Sequence, residues 1–294
     1  MNWFKGTGTA LATPFNEDYS IDQEHFTVML EKQKQAKMDA CILLGTTGES
    51  PCISFKEKEW MIRRAKEVLG GSMPLIVGTG NNNPEVVLEN NKQARELGAD
   101  ALLIVNPYYN KSTQDGLVDY YSFIARQTDL HIMLYNVPSR TGMNILPDTM
   151  VRIHEQAPNV SSIKEACADI SQIGRLMAIK QDSLEVYSGN DDQTLPIMAL
   201  GGIGVVSVAS NVIPDEMKAV TDDLLKGDWV SGRAKFLRLF PFMKDLFIEA
   251  SPSPLKYALS LRGWSKNIVR RPMIPASKVL EKIIQEDLKG LGIL

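Results

Sequence analysis

A short strand-like run followed by a helix-like run recurs about every 25 to 35 residues through most of the chain, and this rhythm restricts the fold more than any other feature of the sequence. Eight candidate strands can be read, at 8–12, 40–44, 75–78, 101–105, 132–135, 160–164, 185–187 and 204–208. Several are nearly continuous apolar runs, such as Ile42-Leu43-Leu44 and Leu102-Leu103-Ile104-Val105, as expected of strands covered on both faces. Helical patterns at 23–37, 55–69, 84–97 and 114–127 fall between them, with Asp22 and Ser54 placed as amino-terminal caps of the first two. Eight such units predict an α/β fold of the (β/α)8 TIM barrel type. An open doubly wound sheet is the competing architecture, but it wants a glycine-rich loop after its first strand, where this chain has Thr13-Pro14-Phe15-Asn16. From about Asp222 the strand signal stops, and 229–248, 255–261 and 276–288 read as helices. The expected division is a catalytic barrel over 1–222 and a carboxy-terminal helical extension over 223–294, packed on the barrel and able to help oligomerise it.

The 294 residues suffice for a large core, and 44% hydrophobic with 23% charged is an ordinary globular composition. A formal charge of -3 with no basic block argues against nucleic acid or an anionic membrane as partner. Cys41, Cys52 and Cys167 leave one over in any pairing and lack metal-site spacing, which suits a reducing cytoplasm. Gly6-Thr7-Gly8-Thr9 interrupts any amino-terminal apolar run, so no signal peptide is expected. The longest apolar stretch, 195–209, is broken by glycines and falls short of the roughly 20 residues of a membrane span.

The residue that most demands a reason is Lys164, at the end of the sixth candidate strand. Alternation sends Ser162 and Lys164 to one face and Ser161 and Ile163 to the other. Burying an unpaired ammonium is costly, so such a lysine tends to become neutral, and a neutral amine is a nucleophile able to form a Schiff base with a carbonyl compound. A three-unit drop from the ordinary lysine pKa of about 10.4 corresponds to roughly 4 kcal/mol. Taken alone, the segment fits a strand-end lysine that snorkels into solvent better than a buried nucleophile, and the other segments reverse that order.

Barrel sites are assembled at the carboxy-terminal strand ends. The second strand runs into Gly45-Thr46-Thr47-Gly48-Glu49-Ser50, either a plain turn or one whose N–H groups and hydroxyls hold a small carboxylate. The fourth ends in Asn106-Pro107-Tyr108-Tyr109-Asn110, where the tyrosines either pack or deliver a phenol to a site. The fifth gives Tyr135-Asn136-Val137-Pro138-Ser139-Arg140-Thr141-Gly142, with Tyr135 on the same face as Met133 and able to point towards Lys164. A phenol there can serve the proton transfers of imine formation. Arg140 has the planar fork that suits a carboxylate, or it makes a surface ion pair. Ser188-Gly189-Asn190-Asp191-Asp192 and Val205-Val206-Ser207 supply small groups that leave room for a substrate. His25, His131 and His154 are dispersed and receive no catalytic role.

These motifs, together with Gly8-Thr9-Ala10-Leu11-Ala12-Thr13-Pro14-Phe15 and Ile163-Lys164-Glu165-Ala166, resemble the dihydrodipicolinate synthases. That family lies within the pyruvate-dependent class I aldolases, which include N-acetylneuraminate lyase, and the resemblance spans nearly the whole chain. It implies that Lys164 forms the imine with pyruvate, whose enamine attacks aspartate semialdehyde. It implies further that Tyr135 is the acid/base, linked through Thr46 to a Tyr109 supplied by the neighbouring subunit of a tight dimer, with dimers pairing into a homotetramer. Thr46 and Thr47 resemble binders of the pyruvate carboxylate and Arg140 the receiver of the semialdehyde carboxylate, while Gly189 and Val206 line the pocket. The protonated imine is the electron sink, so neither a metal nor an organic cofactor is expected.

Thr46 with Arg140 favours the synthase over the lyase branch, which usually has Ser at the first position and no equivalent arginine. Two other readings stand beside it. A sister aldolase would cleave a sugar-derived 2-keto acid, such as N-acetylneuraminate or 2-keto-3-deoxygluconate, faster than it condenses the semialdehyde. A non-catalytic keto-acid-binding regulator would keep the pocket without imine chemistry. Members strongly inhibited by lysine resemble this chain around Ser50, Asn82 and Tyr108 but carry histidines where it has Phe55 and Lys58. A cation at Lys58 repels an incoming ammonium, so weak or absent feedback inhibition is expected.

Overall fold

The computed structural model describes residues 4–294 and forms a closed barrel of eight parallel strands in sequence order. The strands are β1 (Gly6–Ala10), β2 (Ala40–Leu43), β3 (Leu75–Gly78), β4 (Ala101–Val105), β5 (His131–Asn136), β6 (Val160–Glu165), β7 (Glu185–Ser188) and β8 (Gly204–Ser207). The first four crossovers carry α1 (Gln23–Gln35), α2 (Phe55–Leu69), α3 (Pro84–Glu96) and α4 (Gln114–Ala125). Then follow α5 (Pro138–Thr141) and α6 (Pro147–Gln156) after β5, α7 (Ile170–Ile179) after β6, α8 (Thr194–Ala199) after β7 and α9 (Pro214–Leu225) after β8. Beyond the barrel lie α10 (Trp229–Asp245), α11 (Ser253–Leu261) and α12 (Lys278–Gly290). Residues 1–3, part of the expected 1–222 unit, lie outside the described residues.

Alternation along the strands builds two cores. Outward residues such as Leu43, Val77, Leu102, Leu134, Ile163 and Val186 are buried under the helices, each burial contributing about 1.5–3 kcal/mol. Inward residues such as Ile42, Ile76, Leu103, Met133 and Val206 fill the barrel, and Phe4 stacks on Tyr187 with ring centroids 4.4 Å apart. Closure pairs Gly6 of β1 with Gly204 of β8, and a methyl on Gly204 would sit 2.0 Å from the Gly6 carbonyl oxygen. Only a bare backbone fits that seam.

The two anticipated caps are present. Asp22 accepts the His25 N–H at 3.1 Å, and Ser54 forms a reciprocal capping box with Glu57. Several boundaries differ from expectation for identifiable reasons. The first strand begins at Gly6 and stops at Ala10, because the Ala12 N–H turns to the Asn211 side chain, 3.0 Å away. Leu44 adopts a left-handed φ of 57 and ends β2 one residue early. Val208 leaves the eighth strand because its N–H donates to Asp191 at 2.9 Å. The expected helix 229–248 ends at Asp245, and the chain that follows crosses to the mouth of the barrel. No helix among the described residues is long and apolar enough to cross a membrane.

Candidate active site

Tyr135 of β5 stands opposite Lys164 of β6 in the ladder, and both point inward. A register shift at Ile132/Met133 lets Ser162 face Met133, skipping Ser161 and keeping the inward sets of the two strands aligned. Lys164 is 4% exposed, and its Nζ lies 4.2 Å from the centroid of the Tyr135 ring. Among the described residues Nζ has no hydrogen-bonding partner. On the other side, Gly189 follows β7, and a methyl there would lie 3.1 Å from Lys164 Cγ and 2.8 Å from Ala166 Cβ. The glycine therefore keeps open the channel through which the lysine stem reaches the cavity.

That cavity, about 460 Å³, is lined by Thr46, Thr47, Tyr135, Arg140, Lys164 and Gly189 among others. Thr46 and Thr47 open a single 3-10 turn, Thr46–Gly48, with Thr47 buried and Thr46 half-buried. Arg140, on α5, is exposed at the rim and makes no ion pair among the described residues; its Nη2 donates to the Ser251 carbonyl at 3.3 Å. Val206 is fully buried in the same interior cluster as Tyr135, and Val208 takes the cavity wall. Ser207, grouped with the roomy small residues in the sequence, instead accepts the Ser210 N–H at 2.9 Å and does not line the cavity. Tyr109 lies outside this wall, 92% exposed with φ of 71. No hydrogen bond joins Tyr135, Thr46 and Tyr109 among the described residues.

Two buried carboxyl groups flank the site in different ways. Asp191 Oδ2 accepts the Val208 and Ala209 N–H groups at 2.9 and 3.1 Å, tying the turn after β7 to that after β8. Burial raises its pKa, against the pull of Lys164. Glu165 points away from the cavity into a polar network. It is 1% exposed, and its oxygens accept from Asn136 Nδ2 at 2.9 and 3.1 Å and from the Cys167 N–H at 2.8 Å. Burial outweighs those bonds and pushes its pKa up to about 7. Asn136 Oδ1 accepts from Asn106 at 2.9 Å, so the rim ends of β4, β5 and β6 are locked together.

One feature escaped the sequence reading. The segment 247–251 after α10 forms part of the cavity wall, yet it reads only as the tail of a helical run. The adjoining cavity of about 310 Å³ shares Thr46, Tyr135 and Arg140 and is lined further by Ser50, Lys58 and Tyr108. Asn82 donates to the Tyr108 carbonyl at 3.1 Å, and Phe55 is 47% exposed, off that wall. Lys58 has no ion pair among the described residues, and burial lowers its pKa. The three cysteines are free, and His154 is held between the Val160 carbonyl and Ser183. No group of three or more His, Cys, Asp or Glu among the described residues is placed to hold a metal ion. A buried lysine facing a cavity, with hydroxyls and a guanidinium in the same wall, is placed to meet a carbonyl compound whose carboxylate is held at its edge.

Residues 3–291 match the model of the dihydrodipicolinate synthetase family. The 4-hydroxy-tetrahydrodipicolinate synthase of Thermosipho africanus is 45% identical, covering 99% of this chain and all of that one. The crystal structure of dihydrodipicolinate synthase from Thermotoga maritima superposes with a TM-score of 0.98 at 42% identity, with complete coverage of both chains. A structure described as the first monomeric dihydrodipicolinate synthase variant gives a TM-score of 0.97 at 42% identity, covering 99% of this chain and 98% of that one.

Proposed function

From the premise that the chain belongs to the dihydrodipicolinate synthetase family, we propose how its residues carry out the family's reaction. The protein is a lyase that condenses pyruvate with L-aspartate 4-semialdehyde to 4-hydroxy-tetrahydrodipicolinate, the entry to diaminopimelate and lysine biosynthesis. In our assignment Lys164 Nζ attacks the pyruvate keto carbon, and water leaves as the imine forms. Loss of a methyl proton then gives an enamine, whose carbon bonds to the aldehyde carbon while the aldehyde oxygen takes up a proton. The amino group of the semialdehyde finally displaces the lysine and closes the ring. Tyr135 moves the protons, Thr46 and Thr47 hold the pyruvate carboxylate and Arg140 receives that of the semialdehyde. Gly189 keeps the lysine channel clear, and Val206 fills the barrel interior.

The observation that carries this assignment is the burial of Lys164, without a hydrogen-bonding partner, against the Tyr135 ring in the cavity lined by Thr46, Thr47 and Arg140. Our reading has the exposed Tyr109 of each subunit supplied to its neighbour's site, linked through Thr46 to Tyr135, in a tight dimer that pairs into a homotetramer working in the cytoplasm. A coupled assay with pyruvate and aspartate semialdehyde, run beside N-acetylneuraminate, tests the function. Faster cleavage of N-acetylneuraminate would assign the chain to the lyase branch instead.

A further inference from the structure

The Thr46–Gly48 turn makes few contacts of its own, yet both of its flanks lead to one buried side chain. The turn is closed by Gly48 N–H to the Gly45 carbonyl at 3.1 Å and Glu49 N–H to the Thr46 carbonyl at 3.0 Å. The Gly48 carbonyl accepts from Thr13 Oγ1 at 2.7 Å, and the Thr13 carbonyl in turn accepts from Lys256 Nζ. On the other flank, Glu49 has a left-handed φ of 54, a conformation that a side chain resists and that the surroundings must impose. Its Oε2 accepts the Arg270 N–H at 2.8 Å, and its Oε1 lies 3.3 Å from the same Lys256 Nζ. Lys256 comes from α11, outside the barrel, and is 0% exposed.

The ammonium donates to the Thr13 carbonyl and, at 2.9 Å, to the Ile268 carbonyl, and it packs 4.3 Å from the centroid of the Phe15 ring. Its remaining charge faces Glu49, as an ion pair and not as a well-aligned hydrogen bond. Arg270 stands beside it, with Nη1 on the Cys52 carbonyl at 2.6 Å and the guanidinium paired to Glu57. Burial pulls the pKa of Lys256 down to about 8, Glu49 opposes that fall and Arg270 adds to it. A neutral amine has two hydrogens, enough for the two carbonyls, but no charge to hold Glu49.

We propose that Lys256 and Glu49 are positioning residues that set the Thr46-Thr47 turn for the carboxylate of the keto acid. This inference rests on the reading of that turn as the pyruvate-carboxylate site. It also gives the helical extension a part in substrate binding, since α11 and the 268–270 segment brace the loops after β1 and β2.

The test uses the full-length enzyme with Glu49→Gln, Lys256→Met, the double variant that removes both charges together, and Thr47→Val. KM for each substrate, kcat and Tm are measured for each protein. Loosening the turn weakens binding of one substrate, so KM for pyruvate rises by about tenfold or more in Glu49→Gln and in the double variant. KM for the semialdehyde and kcat both stay within about twofold of wild type. Lys256→Met alone leaves Glu49 buried without its counter-charge and loses the most stability; the double variant reads the same effect without that orphaned charge. A lowered Tm with unchanged KM for pyruvate, while Thr47→Val raises it, would overturn the inference and leave the carboxylate site in place. Unchanged KM in Thr47→Val would remove the carboxylate site itself, and the inference with it.

Discussion

Lys164 and Lys256 are both withdrawn from water, 4% and 0% exposed, and their surroundings differ in kind. Lys256 donates to two carbonyls and faces a carboxylate, so its ammonium is held in one place by partners from three parts of the chain. Lys164 has an aromatic face, a glycine-cleared channel and an open cavity, with no acceptor engaged among the described residues. A saturated buried ammonium organises structure. A buried lysine nitrogen that engages no acceptor among the described residues is open to an incoming carbonyl compound, because no hydrogen bond holds it elsewhere. Burial alone does not separate the two cases; the count of acceptors does.

Replacing Tyr135 challenges the reactive side of this contrast most strongly. Tyr135→Phe keeps the ring that covers Lys164 and deletes only the hydroxyl, so turnover should fall by about 10²- to 10⁴-fold if the phenol moves protons. Steady-state kinetics near wild type would reduce Tyr135 to packing and make the site resemble the structural one.

Glu165 asks what burying a titratable carboxyl next in sequence to the reactive lysine costs. Its pKa is raised from 4.5 to about 7, chiefly by burial, so the native fold holds a proton through that window that the unfolded chain releases. The stabilisation is fully present below about 4.5 and is lost as pH rises through about 7. Denaturant titrations of Glu165→Gln should therefore run parallel to wild type near pH 4.5 and show wild type losing up to roughly 3 kcal/mol relative to the variant by pH 8. A pH-independent difference would mean that the carboxyl is ionised in the fold throughout.

Lys58 is an intermediate case, half-buried, unpaired among the described residues and facing the adjoining cavity. Its charge should keep a second ammonium out, so lysine inhibits weakly or not at all. Half-maximal inhibition well below millimolar in the coupled assay would contradict that expectation. Lys58→Ala would then show whether the cation matters.

What could be read from the sequence follows the range of the interactions concerned. The eight strands, the caps at Asp22 and Ser54 and the shared inward face of Tyr135 and Lys164 all depend on local periodicity, and local periodicity survives folding. The early end of β1 depends on Asn211, nearly two hundred residues away, and no local pattern announces it. The same holds for the 247–251 wall and for Lys256, which reads as one polar residue in the apolar run Pro254-Leu255-Lys256-Tyr257-Ala258-Leu259. A lone cation inside such a run was a usable signal, but its partner Glu49 could be named only once the barrel was closed. Tyr109 marks the opposite limit, a residue whose proposed role lies beyond a single chain.

The most direct measurement is mass spectrometry of the protein after borohydride reduction in the presence of pyruvate. The account predicts one reduced pyruvate on the peptide carrying Lys164, none on the peptide carrying Lys256, and no label in Lys164→Ala. Unmodified Lys164, or label retained in Lys164→Ala, would contradict it.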